Sequence, residues 1–181
     1  MTVFGTAGIR GPITAESAPE RMLRISRAVG LTARENGETQ FVLGRDGRAT
    51  GDALASVVSA GLASAGIDVV DAGQMPTPAL AFASIDRHGA MVTASHNPPG
   101  DNGLKLFRDG IKYERAREQR VVERVESDPE PVPWSEWGSV RNEDVIEAYR
   151  NEVLDSARGH DTQLDALTIA IDAGNGTAGL A

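Results

Sequence analysis

Apolar and polar positions along this chain fall into blocks whose period switches between that of a helix and that of a strand. Ser17, Ala18, Pro19 and Glu20 have the form of a capping box with proline tolerated in the first turn. Met22, Ile25, Val29 and Ala33 then lie on one helical stripe, closed by Asn36 and Gly37. Gln40 to Gly44 reads as a short buried strand, followed by the loop Arg45 to Arg48 and a helix capped by Thr50. That helix has a broad apolar face, from Leu54, Val57 and Val58 to Leu62 and Ala65, and Gly66 ends it. Ile67 to Val70 is the next strand, Thr77 and Pro78 open a third helix reaching about Ile85, and Ala90 to Thr93 is another strand. Strands and helices alternating through short connections predict right-handed parallel crossovers, and so an α/β fold.

Beyond Thr93 the pattern changes. Leu104 and Leu106 alternate with Lys105 and Phe107, as in a strand with one face on the core, and Asp109 with Gly110 reads as a tight hairpin turn. The hairpin adds an antiparallel element, so the predicted sheet is mixed. Glu114 to Glu126 is a charged outer helix with a thin stripe of Ala116, Val121, Val122 and Val125. Residues 127–140 hold three prolines and both tryptophans, a semi-rigid connection that Trp134 and Trp137 are expected to pin to its own domain, with stacking on a sugar as the alternative. Residues 141–157 read as a helix with Ile146, Tyr149 and Val153 on one stripe, 158–164 as polar loop, and Leu167 to Ile171 as a strand. The GNGTAG that follows fits a dinucleotide-binding fingerprint, a weak signal without a following helix and a distant acidic residue.

Composition narrows the field. Hydrophobic residues at 40% and charged residues at 24% fit an ordinary globular chain, and 181 residues suggest one domain with part of another. The net charge of −8 repels polyanions, which argues against a nucleic-acid partner. The absence of cysteine excludes disulfides and thiolate metal sites. No signal pattern or long apolar run is present, so a cytoplasmic location away from membranes is expected. Two lysines stand against sixteen arginines amid abundant acidic residues, which suggests a salt-rich cytoplasm of a halophile.

Candidate chemistry gathers at Thr93 to Pro98, TASHNP, where a buried strand delivers Ser95 and His96 to a loop stiffened by Pro98 and Pro99. A stiff hydroxyl at the carboxyl end of such a strand is placed to meet ligand. The same residues also suit a plain strand-terminating turn. Lys105 points away from its flanking leucines. It reads as a solvated lysine or, given the scarcity of lysine, a functional one. Arg10 lies among Gly5, Gly8 and Gly11, where a guanidinium matches phosphate oxygens. The arginines of the loop Arg45 to Arg48, before a helix N-terminus, suit an anion, but Arg45 beside Asp46 reads rather as a structural ion pair. A serine hydrolase is disfavoured because G-x-S-x-G is absent and His96 adjoins Ser95 too closely in sequence.

FGTAGIRG at Phe4 to Gly11, GRDGR at Gly44 to Arg48, and TASHNP with the following NGLK occur in this order. Together they resemble the opening signature, the next block and the phosphoserine loop of the α-D-phosphohexomutases, which include phosphoglucomutases, phosphomannomutases and phosphoglucosamine mutases. The resemblance implies a mixed, mostly parallel sheet sandwiched between helices. It further implies a first domain over residues 1–140 and, over 141–181, an interdomain helix with the start of a second domain. IDAGNGTAG looks like that second domain's opening. The implied activity is interconversion of hexose 1-phosphate and 6-phosphate through a hexose bisphosphate and a phosphoserine. Ser95 would carry the phosphate and offer one ligand to Mg²⁺, Lys105 would act as general acid and base, Arg10 would neutralise phosphate, and His96 would orient the loop or assist proton transfer. The family's remaining metal ligands, sugar-selecting loop and phosphate-binding loop belong to domains II–IV, and no D-G-D-x-D-R pattern occurs here. The chain alone is therefore expected to turn over little substrate, with the choice among glucose, mannose and glucosamine phosphates left open. A non-catalytic phosphosugar-binding module or truncated paralogue is the alternative.

Overall fold

The computed structural model describes residues 8–158, 168–174 and 176–180, so Phe4 to Ala7, the loop residues from Gly159, Leu167 and Asn175 lie outside the described residues. Among the described residues seven strands form one sheet: β1 (Ile9–Pro12), β2 (Gln40–Arg45), β3 (Asp68–Gln74), β4 (His88–Val92), β5 (Asp101–Arg108), β6 (Ile111–Lys112) and β7 (Val140–Asn142). Their order is β1-β5-β4-β2-β3-β7, with β6 pairing β5. β4, β2, β3 and β7 pair in parallel, whereas β5 runs antiparallel to each of its neighbours β4, β1 and β6. Only β5 is reversed, so the sheet is mixed with nearly all strands pointing one way. Asp109 and Gly110 turn the β5–β6 hairpin with φ of 54° and 75°, the double left-handed geometry that Asp-Gly favours.

Five α-helices among the described residues, α1 (Pro19–Glu35), α2 (Gly51–Ala63), α3 (Thr77–Ala83), α4 (Arg115–Glu126) and α5 (Ile146–Arg158), cover both faces. On one face Met22, Ile25 and Val29 of α1, Leu54, Val58 and Leu62 of α2, and Val121 of α4 bury themselves against Phe41, Leu43, Leu104 and Leu106. On the other, Ala79, Leu80 and Ala83 of α3 pack with Met75, Met91, Phe107 and Val145, and Tyr149 of α5 lies against them. The alternation of Leu104 and Leu106 with Lys105 and Phe107 thus divides the two faces as the sequence predicts. No described helix is long and apolar enough to cross a membrane.

Several local expectations differ. Ser17 does not cap α1: its buried Oγ donates instead to the Asn102 carbonyl at 2.5 Å. Thr50 precedes α2 without a capping bond, its Oγ1 accepting from Asn102 Nδ2 at 3.0 Å. Both hydroxyls are claimed by β5, a tertiary partner that local capping rules do not see. Residues 140–142 form a strand rather than the beginning of a helix, because Ser139 is anchored through its N–H and Oγ to Asp68 Oδ1, each at 2.7 Å. Trp134 is 88% exposed and Trp137 51%, with the Trp137 indole N–H donating to the nearby Val132 carbonyl, so neither ring is buried against the domain. The connection is held by its backbone instead, through bonds from Val132 and Gly138 to the carbonyls of Ser64 and Ala63. The described residues 168–171 take no strand conformation; Ile169 and Ile171 are exposed and no described strand pairs with them.

Candidate active site

β4 carries its direction into the loop through Thr93, whose N–H bonds the Gly103 carbonyl of β5. On the far side of β5, Arg10 of β1 faces the same Gly103. Thr93, Gly103 and Arg10 therefore form one row across three strands, about 10 Å wide at the usual strand spacing. Lys105 stands two residues from Gly103, opposite Met91. Residues directly opposite across an antiparallel pair, and residues two apart along a strand, share a face. Arg10, Lys105 and Thr93 thus project from one face, that of Met91 and Phe107. Gly103 lets β1 approach closely between them: a Cβ there would meet the Ile9 carbonyl at 2.1 Å and Arg10 Cα at 2.9 Å.

Arg10 and Lys105 are half-buried, and neither has an ion-pair partner among the described residues. Burial holds Lys105 below the usual lysine range, and Arg10 and Lys112 push it further down, with Asp46 opposing. Two cations that disfavour each other on one face of the sheet make a field suited to a bound anion.

Ser95 is exposed two residues beyond Thr93 and takes φ of 54°, the left-handed region, which costs a non-glycine residue about 1–2 kcal/mol. What holds it there comes from behind the loop. Ser95 N–H donates to Thr93 Oγ1 at 3.1 Å, and Thr93 Oγ1–H donates to Asp46 Oδ2 at 2.6 Å. Arg48 Nη2 donates to the carbonyls of Ser95 at 2.6 Å and Asn97 at 3.0 Å. Its Nη1 donates to those of Pro98 at 2.7 Å and Asp101 at 2.9 Å, and its Nε to Asp46 Oδ2 at 3.2 Å. Asn97 Nδ2 closes the loop on Asp101 Oδ2 at 2.9 Å. His96 is exposed beside Ser95.

The loop Arg45 to Arg48 thus behaves differently from its sequence reading. Asp46 pairs with Arg48 rather than Arg45, while Arg45 reaches Asp52 at 2.5 Å. Arg45 lies at the end of β2 and extends over the start of α2, whereas the tight turn at Gly47 brings Arg48 back under the Ser95 loop. Sequence reasoning gives no individual role to Arg48 or Asn102, and it pairs Asp46 with Arg45 instead. The recurrence of Arg in GRDGR was the available signal, but which arginine meets Asp46 depends on how β2 pairs with β4.

The family profile described as phosphoglucomutase/phosphomannomutase, alpha/beta/alpha domain I, matches residues 1–131. The chain belongs to this family. A phosphopentomutase of Thermococcus kodakarensis is 40% identical across 99% of this chain and 39% of its own length. A phosphoglucosamine mutase of Symbiobacterium thermophilum is 37% identical across 97% of this chain and 41% of its own. The crystal structure of a phosphoglucomutase/phosphomannomutase family protein from Burkholderia thailandensis superposes with a TM-score of 0.75 at 32% identity, over 84% of this chain and 35% of that one. The chain therefore spans about 40% of the length of the curated relatives it matches. Membership in the phosphoglucomutase/phosphomannomutase family accounts for the α/β/α layering.

Proposed function

We propose that the protein to which these residues belong transfers a phosphoryl group within hexose phosphates, interconverting the 1- and 6-phosphates through a phosphoserine at Ser95. One observation carries this reading: an exposed serine, held in left-handed backbone, adjoins a sheet face on which Arg10 and Lys105 present cations without ion-pair partners among the described residues. In the first half-reaction a sugar hydroxyl oxygen attacks phosphorus and the bond from phosphorus to Ser95 Oγ breaks, giving a hexose bisphosphate. In the second, with the bisphosphate reoriented, Ser95 Oγ attacks the sugar's other phosphoryl group, the bond from that phosphorus to the sugar oxygen breaks, the freed sugar oxygen takes up a proton, and the phosphate returns to serine. Lys105 takes the proton from the attacking sugar hydroxyl and returns it in the reverse direction, a role that its lowered proton affinity suits. Arg10 neutralises charge on the phosphate, and His96 orients the loop or relays a proton. Such transfers depend mainly on positioning and charge neutralisation.

A bound Mg²⁺ would supply further charge neutralisation at the phosphoryl group. No group of three or more His, Cys, Asp or Glu among the described residues is placed to hold such an ion. Ser95 fits as one oxygen ligand through its phosphate, and the rest would come from domains II–IV of the same protein. We assign residues 1–140 to the first domain and 141–181 to an interdomain helix with the start of the second, in a cytoplasmic protein. A pentose phosphate is the second reading, favoured by the 40% identity to a protein named phosphopentomutase.

The test uses the full-length protein. Wild type should carry phosphate on Ser95 by mass spectrometry and interconvert hexose 1- and 6-phosphates. Ser95→Ala should lose phosphoserine and turnover together. Persistence of either sinks the role given to Ser95, and faster turnover of pentose than of hexose phosphates selects the second reading.

A further inference from the structure

We propose that Arg48 is a positioning residue that sets Ser95 for phosphoryl transfer by gripping the backbone of its loop, and that it does not itself bind the phosphate. The inference rests on the phosphoserine reading of Ser95 given above. A guanidinium has five N–H donors in a fixed fork. Here each of the five has an acceptor within the protein: Asp46 Oδ2 for Nε, the Pro98 and Asp101 carbonyls for Nη1, and the Ser95 and Asn97 carbonyls for Nη2. The side chain is 11% exposed. No donor remains for a ligand. Arg10, by contrast, has no ion-pair partner among the described residues and lies on the open sheet face.

The four gripped carbonyls span residues 95 to 101, from the loop beyond Ala94 to the first residue of β5. One of them belongs to Ser95, whose left-handed backbone is otherwise unfavourable. Pulling that carbonyl toward the guanidinium fixes ψ of Ser95, while Thr93 Oγ1 fixes its N–H. With both flanking peptide planes held, the direction of Cβ and Oγ is determined by the backbone. Asp46 completes the device, since the same Oδ2 accepts from Arg48 Nε and from Thr93 Oγ1. A lysine at 48 would keep the charge but offer three donors from a single point, and could not span carbonyls six residues apart in sequence.

The experiment compares Arg48→Lys and Arg48→Ala with Ser95→Ala in the full-length protein. In Arg48→Lys, kcat should fall about 100-fold, the scale expected for a misplaced reacting group, with KM for the sugar phosphate within threefold of wild type. Amide exchange should quicken in the peptide covering residues 95–101 and nowhere else. Guanidinium at millimolar concentration should restore part of the turnover of Arg48→Ala and none of that of Ser95→Ala. A KM rise with kcat preserved would make Arg48 a phosphate ligand and overturn the proposal. So would exchange quickened throughout the domain, or failure of both variants to fold, either of which assigns a general structural role. Wild-type turnover in Arg48→Lys alongside an inactive Ser95→Ala removes the Arg48 inference alone. An active Ser95→Ala removes the phosphoserine reading beneath it.

Discussion

His88, at the start of β4, illustrates how far a single side chain's surroundings decide its chemistry. It is 1% exposed, stacked on Phe41 with ring centroids 4.7 Å apart, and its Nδ1 lies 2.5 Å from the Tyr113 hydroxyl. Burial pushes its pKa down to about 4, with Glu38 opposing and Arg108 and Arg117 adding to the shift. The unfolded chain, with an ordinary histidine near 6.5, binds more protons than the native state between these two values. Stability therefore falls as pH drops from 6.5 toward 4. With solvent screening allowed for, the loss is on the order of 2 kcal/mol. Native-state exchange of β4 amides should reveal this slope, and His88→Gln should flatten it. An equal slope in the variant would place the acid sensitivity elsewhere. Ser95 is the opposite case, an exposed side chain whose orientation is imposed by its backbone. The prolines after it were legible as a source of stiffness; the guanidinium beneath it was not.

At the scale of elements, the connection between helix entries and β5 has the largest influence on the candidate site. Asn102 is fully buried next to Gly103; its Nδ2 donates to Thr50 Oγ1 and its Oδ1 accepts from the Gly103 N–H at 2.9 Å. Its carbonyl receives Ser17 Oγ. The starts of α1 and α2 are thereby tied to the strand that also carries Lys105. Asn102→Ala should cost roughly 1–3 kcal/mol, the scale of leaving buried polar groups unpaired, and should be seen as a lowered Tm. An unchanged Tm would show that water replaces the amide fully. The helices and strands themselves were legible from periodicity because each buries one stripe or one face. Their caps were not, because the hydroxyls nearest the helix starts are satisfied across 52 and 85 residues of sequence.

For the whole molecule, charge is the property most open to test. A net charge of −8, with arginines far outnumbering lysines, favours a protein whose self-repulsion is relieved by salt. Tm should rise as KCl increases from low to molar concentration; a flat response would remove the halophile reading. Many of the arginines are already engaged with acidic partners at the surface, as in Arg34 with Glu136 and Arg24 with Asp128. Exposed pairs of this kind contribute little individually, so the relevant effect is the screened field of the whole chain.

Local patterning by itself determined the alternation of strands and helices, the division of β5 between two faces, the hairpin at Asp109 and Gly110, and the three motifs that identify the family. These are properties of short stretches, set by side-chain period and turn chemistry. Only the tertiary structure decided which cations share a face with the Ser95 loop and which arginine holds that loop from behind. Both depend on strand order. β5 lies between β1 and β4 and so brings Arg10, Gly103 and Thr93 into one row, while the pairing of β2 with β4 carries Arg48 beneath Ser95. Contacts across 47 or more residues leave no periodic trace in the segments that make them, because each partner satisfies its own local rules with or without the other.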